Sequence, residues 1–326
     1  SGWGADGRFS LDTIFHLFAD ESGDTPTEGW VNCVQMRDYP MTADEVAALG
    51  GATAAGIPDD DGSGGGGDTG FYVTPIVQNV QPTSAWIMWE SESGDESRVD
   101  FGATTDLGQT ANGSAQASSG PRRIHTTQLT GLQPDTTYYY AATTGDSTSE
   151  TYHFRTFPLP TSEKPFRFAA VSDTQSDFAR DDQLLEVIRD GIVAYSLANH
   201  GPDLSDNLAF WLDAGDIVDA GPEYWQWKEE FFDEVRDLSP YVPLFAVPGN
   251  HEQDSHWFFD YFVLPENGTP GYMEHWYYFD YSNVRVIGLD SNAGYRVQEQ
   301  LDWLQAVLDD TAGNERVDFV FAQLHH

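Results

Sequence analysis

Polar residues with metal-ligating atoms follow four apolar segments in the second half of the sequence. They are Asp173 with Gln175, Asp216, Asn250 with His251, and His325 with His326. A single aspartate after a strand more often caps a turn than binds a metal. Four such clusters in succession, each at the same end of a predicted strand, bring carboxylates, a carboxamide and imidazoles together. This combination predicts a metal site.

The segments that carry these residues alternate between predicted strands and predicted helices from Lys164 onward. The strands are FRFAAV, NLAFWLD, PLFAV, VRVIGL and VDFVFAQL, and the helices include DDQLLEVIRDGIVAYSLANH, YWQWKEEFFDEVRDL and VQEQLDWLQAVLDD. This alternation is typical of a layered α/β domain, in which ligands bind at the carboxyl ends of the strands. We therefore predict such a domain over residues 164–326.

Residues 71–158 have a different pattern, in which short alternating runs are separated by turn residues. The clearest runs are TSAWIMWE, SRVDFG, RRIHTTQLTGL, TTYYYAATTG and TYHFRTF. Five or six strands at this spacing indicate an all-β sandwich. Two histidines of these runs, His125 and His153, are expected on the strand surface and not at a metal.

Two further segments precede the predicted sandwich. Residues 1–58 alternate in polarity and end in TADEVAALGG, which resembles the closing part of laminin-G or concanavalin-like jelly-roll modules. The resemblance implies the C-terminal part of a β-sandwich and a candidate contact with carbohydrate. Residues 59–70, DDDGSGGGGDTG, combine like charge with glycine and predict a flexible linker.

The composition is strongly acidic. The formal charge is -38, from 53 acidic and 15 basic residues. Such self-repulsion is screened at high salt, so we expect a high-salt environment. The charge also argues against nucleic-acid backbones and anionic membranes as partners. No apolar run is long enough to span a membrane, and the single cysteine, Cys33, does not decide the redox compartment.

The order and spacing of the metal-site residues resembles the calcineurin-like metallophosphoesterase superfamily. Its D-x-H or D-x-Q, GDxxD, GNH[DE] and strand-terminal histidine motifs are matched by DTQ at 173–175, GDIVD at 215–219, GNHE at 249–252 and His325. The sandwich resembles the fibronectin type III domain that precedes the catalytic domain of purple acid phosphatases, through Trp89, LTGLQPDTTYYY and FRTFP. Together these imply a multidomain chain: an all-β part, with a jelly-roll remnant and a fibronectin III-like sandwich, followed by an α/β metallophosphoesterase fold with α/β/β/α layers.

The resemblance also implies a role for each matched residue. Asp173 and Gln175 would bind a first metal ion, Asp216 would bridge two ions, and Asn250 and His325 would bind the second. His251, beside the leaving-group oxygen, and the bridging Asp216 are the implied catalytic residues. The cofactors would be two ions of Fe, Mn or Zn, which activate a hydroxide for attack on a phosphate mono- or diester.

The sequence departs from the family pattern at three places. Gln175 replaces the usual histidine, which favours harder ions at the first metal. Asp219 stands where purple acid phosphatases have a tyrosine, so the iron assignment stays open, and we expect Asp219 to orient the loop or a ligand. The GHxH motif, which would add one ligand to each metal, is not found before His326, so the chain is expected to be an incomplete catalytic domain.

Several interpretations remain open from the sequence. Glu252, His256 and Trp257 could line a substrate pocket or serve only packing, whereas Asp213 and His275 are expected to be structural. A secreted or cell-surface enzyme that scavenges phosphate is the preferred function. The competing interpretation is an extracellular binding or adhesion protein with an inactive phosphoesterase domain. The presence of every matched ligand residue argues against that alternative.

Overall fold

A computed structural model describes residues 70–162, 164–175 and 183–326. The predicted jelly-roll remnant and all but the last residue of the predicted linker lie outside the described residues. No helix within the described ranges is long and apolar enough to cross a bilayer.

The first part of the described chain is built from nine strands. They are β1 (Phe71–Gln78), β2 (Ser84–Ser91), β3 (Arg98–Gly102), β4 (Gln109–Asn112), β5 (Ser114–Ala117), β6 (Arg123–Thr130), β7 (Thr137–Thr144), β8 (Ser147–Thr148) and β9 (Tyr152–Arg155). One sheet has the order β1-β2-β6-β5, and the other contains β4-β3-β7, with β8 and β9 both paired to β7. Residues of both sheets share one core, so this region is a β-sandwich.

Alternate side chains along the strands of the sandwich point into its core. Trp89, Val99, Tyr140 and Phe154 point inward and are fully buried. The indole nitrogen of Trp89 donates to the hydroxyl of Thr144 at 2.9 Å, so its polar atom is satisfied inside the core.

His125 lies inside this sandwich, so the expectation of a surface position was wrong. Its side chain is fully buried, and its ring stacks on Trp89 with the centroids 4.8 Å apart. Its Nε2 lies 2.8 Å from the hydroxyl of Ser91 and its Nδ1 lies 2.7 Å from that of Ser97. A neutral imidazole with both nitrogens hydrogen-bonded can be buried at little cost. Burial lowers the pKa of His125 to about 4.

The second part of the described chain alternates strands and helices. Its strands are β10 (Phe168–Val171), β11 (Phe210–Asp213), β12 (Leu244–Ala246), β13 (Tyr277–Tyr281), β14 (Val284–Gly288) and β15 (Phe319–Gln323). Its helices are α1 (183–200, formed by Gln183–Leu185, Glu186–Val193 and Ala194–His200), α2 (Leu204–Asn207), α3 (Tyr224–Gln226 and Trp227–Phe232), α4 (His256–Tyr261) and α5 (Gln298–Ala312). Helix α3 ends earlier than the sequence predicted, and hydrogen-bonded turns follow it.

These elements form two sheets with helices outside them. Strands β10, β11 and β12 are parallel, whereas β14 pairs antiparallel to β13 and parallel to β15. The sheets pack through Phe245 and Phe279, whose rings stack at 3.7 Å. Trp211 of β11 packs on Phe231 of α3, and Arg285 of β14 donates to Asp310 of α5. The prediction of a β-rich region followed by an α/β domain is confirmed.

The two parts of the described chain share one sheet. Strand β1 pairs with β12 through Gln78 and Leu244, which gives the order β10-β11-β12-β1-β2-β6-β5. The Gln78 side chain donates to the carbonyl of Tyr261 at 3.0 Å and accepts from the backbone of Val263 at 2.7 Å. The sandwich is therefore tied to the α/β part by backbone pairing and by a buried amide.

Candidate metal centre

The loops after β10 and β11 continue the pairing of their strands. The backbone nitrogen of Asp173 donates to the carbonyl of Gly215 at 3.0 Å, and that of Gln175 donates to Asp216 at 2.9 Å. Asp173 and Asp216 both have left-handed backbones, with φ of 55° and 57°. Such conformations are uncommon outside glycine and are concentrated at functional sites. The two loops therefore present their aspartates in a fixed relation.

Close approach of two loops requires glycine at position 215. Gly215 has φ of +96°, and a Cβ there would lie 2.5 Å from the backbone nitrogen of Gly249. The loop after β11 and the loop after β12 thus touch through their backbones. This contact brings Asp216 and Asn250 to the same edge.

The carboxylate of Glu252 holds these two loops together. It is fully buried and accepts from the backbone nitrogens of Asp216 at 3.0 Å and Ile217 at 2.7 Å. It also accepts from the backbone nitrogen of Gly249 at 2.5 Å. Burial raises the pKa of Glu252, although these backbone donors oppose the shift. Of the two roles left open from sequence, the structure places Glu252 in loop packing and not in a pocket wall.

A second buried carboxylate, Asp213, ends strand β11. It accepts from the backbone nitrogen of Gly215 at 3.0 Å and from the hydroxyl of Thr174 at 3.2 Å. Burial raises the pKa of Asp213 well above its usual value. The structure therefore places Asp213 as a support of the two aspartate loops, in line with the structural role expected for it.

Three predicted ligands come together at this edge. One ligand atom each from Asp173, Asp216 and His325 lie within 4.8 Å of one another. The Nε2 of His325 is 3.2 Å from Oδ2 of Asp216 and 3.2 Å from Oδ1 of Asn250. The structure thus adds Asn250 to the same group.

A hydrogen bond at Nδ1 orients the ring of His325. Its Nδ1 donates to the carbonyl of Ala214 at 3.0 Å, so Nε2 of a neutral ring directs its lone pair at two oxygens. Burial would lower the pKa of His325, but the Asp216 carboxylate reverses this effect and raises it. A cation between Nε2 and the two oxygens would satisfy all three atoms.

Gln175 provides a second observation that fits a bound cation. Its Oε1 is buried and accepts no hydrogen bond from the described residues. A buried amide oxygen without a donor is uncommon and is satisfied when it binds a metal ion. Carboxylate, amide and imidazole donors together suit Fe, Mn or Zn and do not discriminate among them. The residues present therefore fit a metal centre.

His251 lies next to this group without joining it. Its backbone nitrogen donates to Oδ1 of Asp216 at 2.8 Å, and its Nδ1 donates to the carbonyl of Asp219 at 2.6 Å. The Nε2 atom is 3.8 Å from Oδ2 of Asp216, and the side chain is 34% exposed. Nε2 is therefore available to a molecule that enters from solvent. Asp219 fixes the ring through its backbone carbonyl, whereas the orientation of the loop or a ligand by Asp219 stays a prediction.

The other polar residues singled out from sequence have structural partners. His256 is exposed and lies 2.6 Å from a carboxylate oxygen of Asp260. Trp257 packs on Tyr224 with the centroids 5.0 Å apart. His275 is nearly buried and lies 2.8 Å from a carboxylate oxygen of Asp290.

Sequence reasoning missed two residues, one that supports the GNHE loop and one that holds His326. The amide of Asn292 donates to the carbonyls of Pro248 and Gly249 at 3.2 and 3.1 Å. The hydroxyl of Ser291 accepts from the backbone nitrogen of His326 at 2.8 Å. Both lie in the loop after strand β14, so their position after a strand was the available signal.

Comparison with known proteins places both parts of the described chain in one group. Residues 72–156 match the model of the purple acid phosphatase N-terminal domain, and residues 166–326 match that of the calcineurin-like phosphoesterases. The solved structure described as PhoD has a TM-score of 0.56 and 13% identity, covering 78% of this chain and 62% of that one. At this identity the likeness shows the fold alone.

Proteins of similar sequence include phosphatases. An uncharacterized protein of Mycobacterium tuberculosis strain H37Rv is 28% identical over 235 residues, which cover 62% of this chain and 42% of that protein. Purple acid phosphatase 15 of Arabidopsis thaliana is 28% identical, with 56% of this chain and 37% of the plant protein covered. Acid phosphatase type 7 of Danio rerio is 25% identical, with coverage of 72% and 52%. The matched parts thus span from 37% to 52% of these relatives. The chain belongs to the calcineurin-like phosphoesterase family, with a purple acid phosphatase N-terminal domain ahead of the phosphoesterase part.

Proposed function

We propose that this chain hydrolyses phosphate mono- or diesters at a centre that holds two metal ions. The observation that carries the proposal is the convergence of His325 Nε2 on the side-chain oxygens of Asp216 and Asn250, each 3.2 Å away. The names of the Arabidopsis thaliana and Danio rerio relatives support the ester class.

We assign the ligand atoms to two sets that share one carboxylate. Asp173 and Gln175 lie on the loop after β10 and would hold one ion, whereas Asn250 and His325 would hold the other. Asp216, with a ligand atom within 4.8 Å of those of Asp173 and His325, would help to hold both ions. Two ions bound there would lower the pKa of water and neutralise charge on the phosphoryl oxygens.

His251 is the residue of this chain that we assign to proton transfer. Its Nδ1 proton is committed to the carbonyl of Asp219, so Nε2 is the atom that faces a bound ester. Protonated at Nε2, the ring would donate to the leaving-group oxygen and so stabilise the departing alkoxide. The hydrogen bond from the backbone nitrogen of His251 to the carboxylate of Asp216 holds the ring beside the proposed ligands.

The setting of the enzyme is part of the proposal. A charge of -38 is screened in concentrated salt, which supports a saline environment. We propose a secreted or cell-surface phosphatase in which the sandwich has a fibronectin III-like structural role. Carbohydrate contact by residues 1–58 stays a prediction.

The test measures metal content and turnover of the same samples. The chain is assayed with p-nitrophenyl phosphate and bis-p-nitrophenyl phosphate, with Mn, Zn or Fe, at low and multimolar salt. We expect Asp216→Asn and Asn250→Ala to lose metal and turnover together. His256→Gln is the control, since His256 is exposed and lies outside the ligand group.

The outcomes separate the enzyme from the competing binding protein. Turnover that depends on Asp216 and Asn250 would support hydrolysis, and the ratio of the two substrates would show the ester class. A folded chain that binds no metal and turns over neither ester would favour the binding or adhesion protein. Metal binding without turnover would contradict the proposal for this chain while retaining the metal centre.

A further inference from the structure

A cavity of about 250 Å³ lies where the sandwich, the connecting segment and the α/β part meet. Its lining includes Arg155 of β9, Lys164 and Arg167 of the connecting segment, and Asp206 of α2. Arg167 directly precedes β10, whereas Asp173 follows it, so the cavity and the metal centre lie at opposite ends of this strand. Four residues of strand separate them by roughly 13 Å.

Two of the three cations in the lining are already neutralised. Arg155 donates to Asp135 at 2.9 Å and to Asp206 at 2.8 Å. Lys164 is paired with Asp135 as well. Burial opposes ionisation of Asp135, but the hydrogen bonds from Lys164 and Arg155 outweigh it and lower its pKa. Both acidic groups of the lining are therefore committed.

Arg167 is the third cation, and it has no such partner among the described residues. Its Nε is buried and donates to no acceptor, and no ion pair among the described residues includes its guanidinium. A buried donor left without an acceptor costs about 1 to 3 kcal/mol. The chain has 53 acidic and only 15 basic residues, so a half-buried arginine without an acidic partner in the described part of the chain is not explained by a shortage of carboxylates.

We propose that this cavity binds a small oxyanion through Arg167. The planar guanidinium matches the paired oxygens of a carboxylate, phosphate or sulfate, which would satisfy the buried Nε. The rings of Phe166 and Tyr281, 4.5 Å apart, form an apolar side of the lining. An anion bound here would contact the connecting segment between the sandwich and the α/β part and would stabilise their junction.

The test uses protein freed of metal by a chelator, so that anions do not bind through metal ions at the strand ends. Thermal unfolding is followed with inorganic phosphate, sulfate or acetate in about 1 M KCl, where the Debye length of about 3 Å suppresses repulsion by the acidic surface. We expect at least one anion to raise the unfolding temperature saturably. The three anions separate inorganic oxyanions from carboxylates as the preferred class.

Two variants identify the residue that binds. Arg167→Gln should weaken the anion at least tenfold, whereas Arg316→Gln, which removes an exposed arginine far along the chain, should leave its affinity unchanged. Arg167→Lys keeps the charge without the paired N–H donors of the guanidinium and should give an intermediate affinity. This variant replaces Arg167→Gln in the test if the glutamine variant does not fold. An equal response in Arg167→Gln, or no response of the unmodified chain to any of the three anions, would overturn the proposal.

Discussion

Two histidines, one buried in the sandwich and one nearly buried at the candidate metal centre, differ in what surrounds their ring nitrogens. His125 has a serine hydroxyl at each nitrogen, 2.8 and 2.7 Å away. His325 has a carbonyl at Nδ1, but its Nε2 faces the oxygens of Asp216 and Asn250. Burial lowers the pKa of His125, whereas Asp216 raises the pKa of His325 against its burial.

The difference teaches that burial does not separate a structural histidine from a ligand. A hydroxyl can donate or accept, so a neutral ring between two serines is fully satisfied. A carboxylate and an amide oxygen can only accept, so they suit either the Nε2–H of a protonated ring or a cation bound between them and a neutral ring. The chemistry of the partner atoms therefore distinguishes the two histidines where burial does not.

The largest effect is expected from His325→Ala. Removing a ligand of a centre that supplies several kcal/mol of transition-state stabilisation should lower kcat by about 10³-fold. Metal content, measured by mass spectrometry on the same sample, should fall with it. Full metal content together with full turnover in this variant would remove His325 from the centre.

Replacement of His125 in the sandwich should instead lower stability and leave metal content unchanged. His125→Ala empties a buried volume and leaves two serine hydroxyls unpaired, so the free energy of unfolding should fall by about 3 to 4 kcal/mol. Urea denaturation measures this loss. Metal content per folded molecule should not change. A variant that is as stable as the unmodified chain would show that the site is not packed as described.

His125 should also make stability depend on pH. Its pKa is about 4 in the fold against 6.5 in the unfolded chain, so between these values the unfolded chain binds the proton. The contribution is therefore fully present above pH 6.5 and falls by about 3 kcal/mol as the pH decreases to 4. Comparing the unmodified chain with His125→Gln across this range isolates the effect. A difference that does not change with pH would contradict it.

The sequence predicted that these side chains lie close together because parallel strands end at one edge. Asp173, Asp216 and Asn250 each follow one of three neighbouring parallel strands, so residue type and strand order were sufficient to group them. The burial of His125 was not predictable in this way. The alternation of polar and apolar residues shows which residues of β6 share a face. It does not show that Ser91 and Ser97, 34 and 28 residues away in sequence, supply the hydrogen bonds that allow an imidazole to be buried.

The pairing of strands that are distant in sequence was also not predictable. Strand β1 pairs with β12 through Gln78 and Leu244, and no local sequence pattern indicates a contact over this separation. The role of Glu252 was also left open, because its place in the GNHE motif does not show which way its side chain points. Four backbone donors from two loops make its burial favourable, and those donors converge only in the folded chain.

The smallest effect we predict concerns Glu252, which supports the metal centre without contacting its ligand atoms. In Glu252→Gln, the amide nitrogen cannot accept the backbone hydrogen bonds that one carboxylate oxygen now takes from Asp216 or Ile217. Loss of an orienting group of this kind should weaken metal binding about 10- to 100-fold. Titration of the metal-free chain gives the dissociation constant, and kcat at saturating metal should change less.

Glu90→Gln is the matched control, since Glu90 is also a fully buried carboxylate. It accepts from the hydroxyls of Tyr224 at 2.6 Å and Tyr261 at 2.7 Å, at the contact between the sandwich and the α/β part. A hydroxyl can turn to accept from the new amide, whereas a backbone nitrogen cannot. Metal affinity should therefore be unchanged in Glu90→Gln. An equal fall in both variants would mean that Glu252 acts through general stability and not by positioning Asp216.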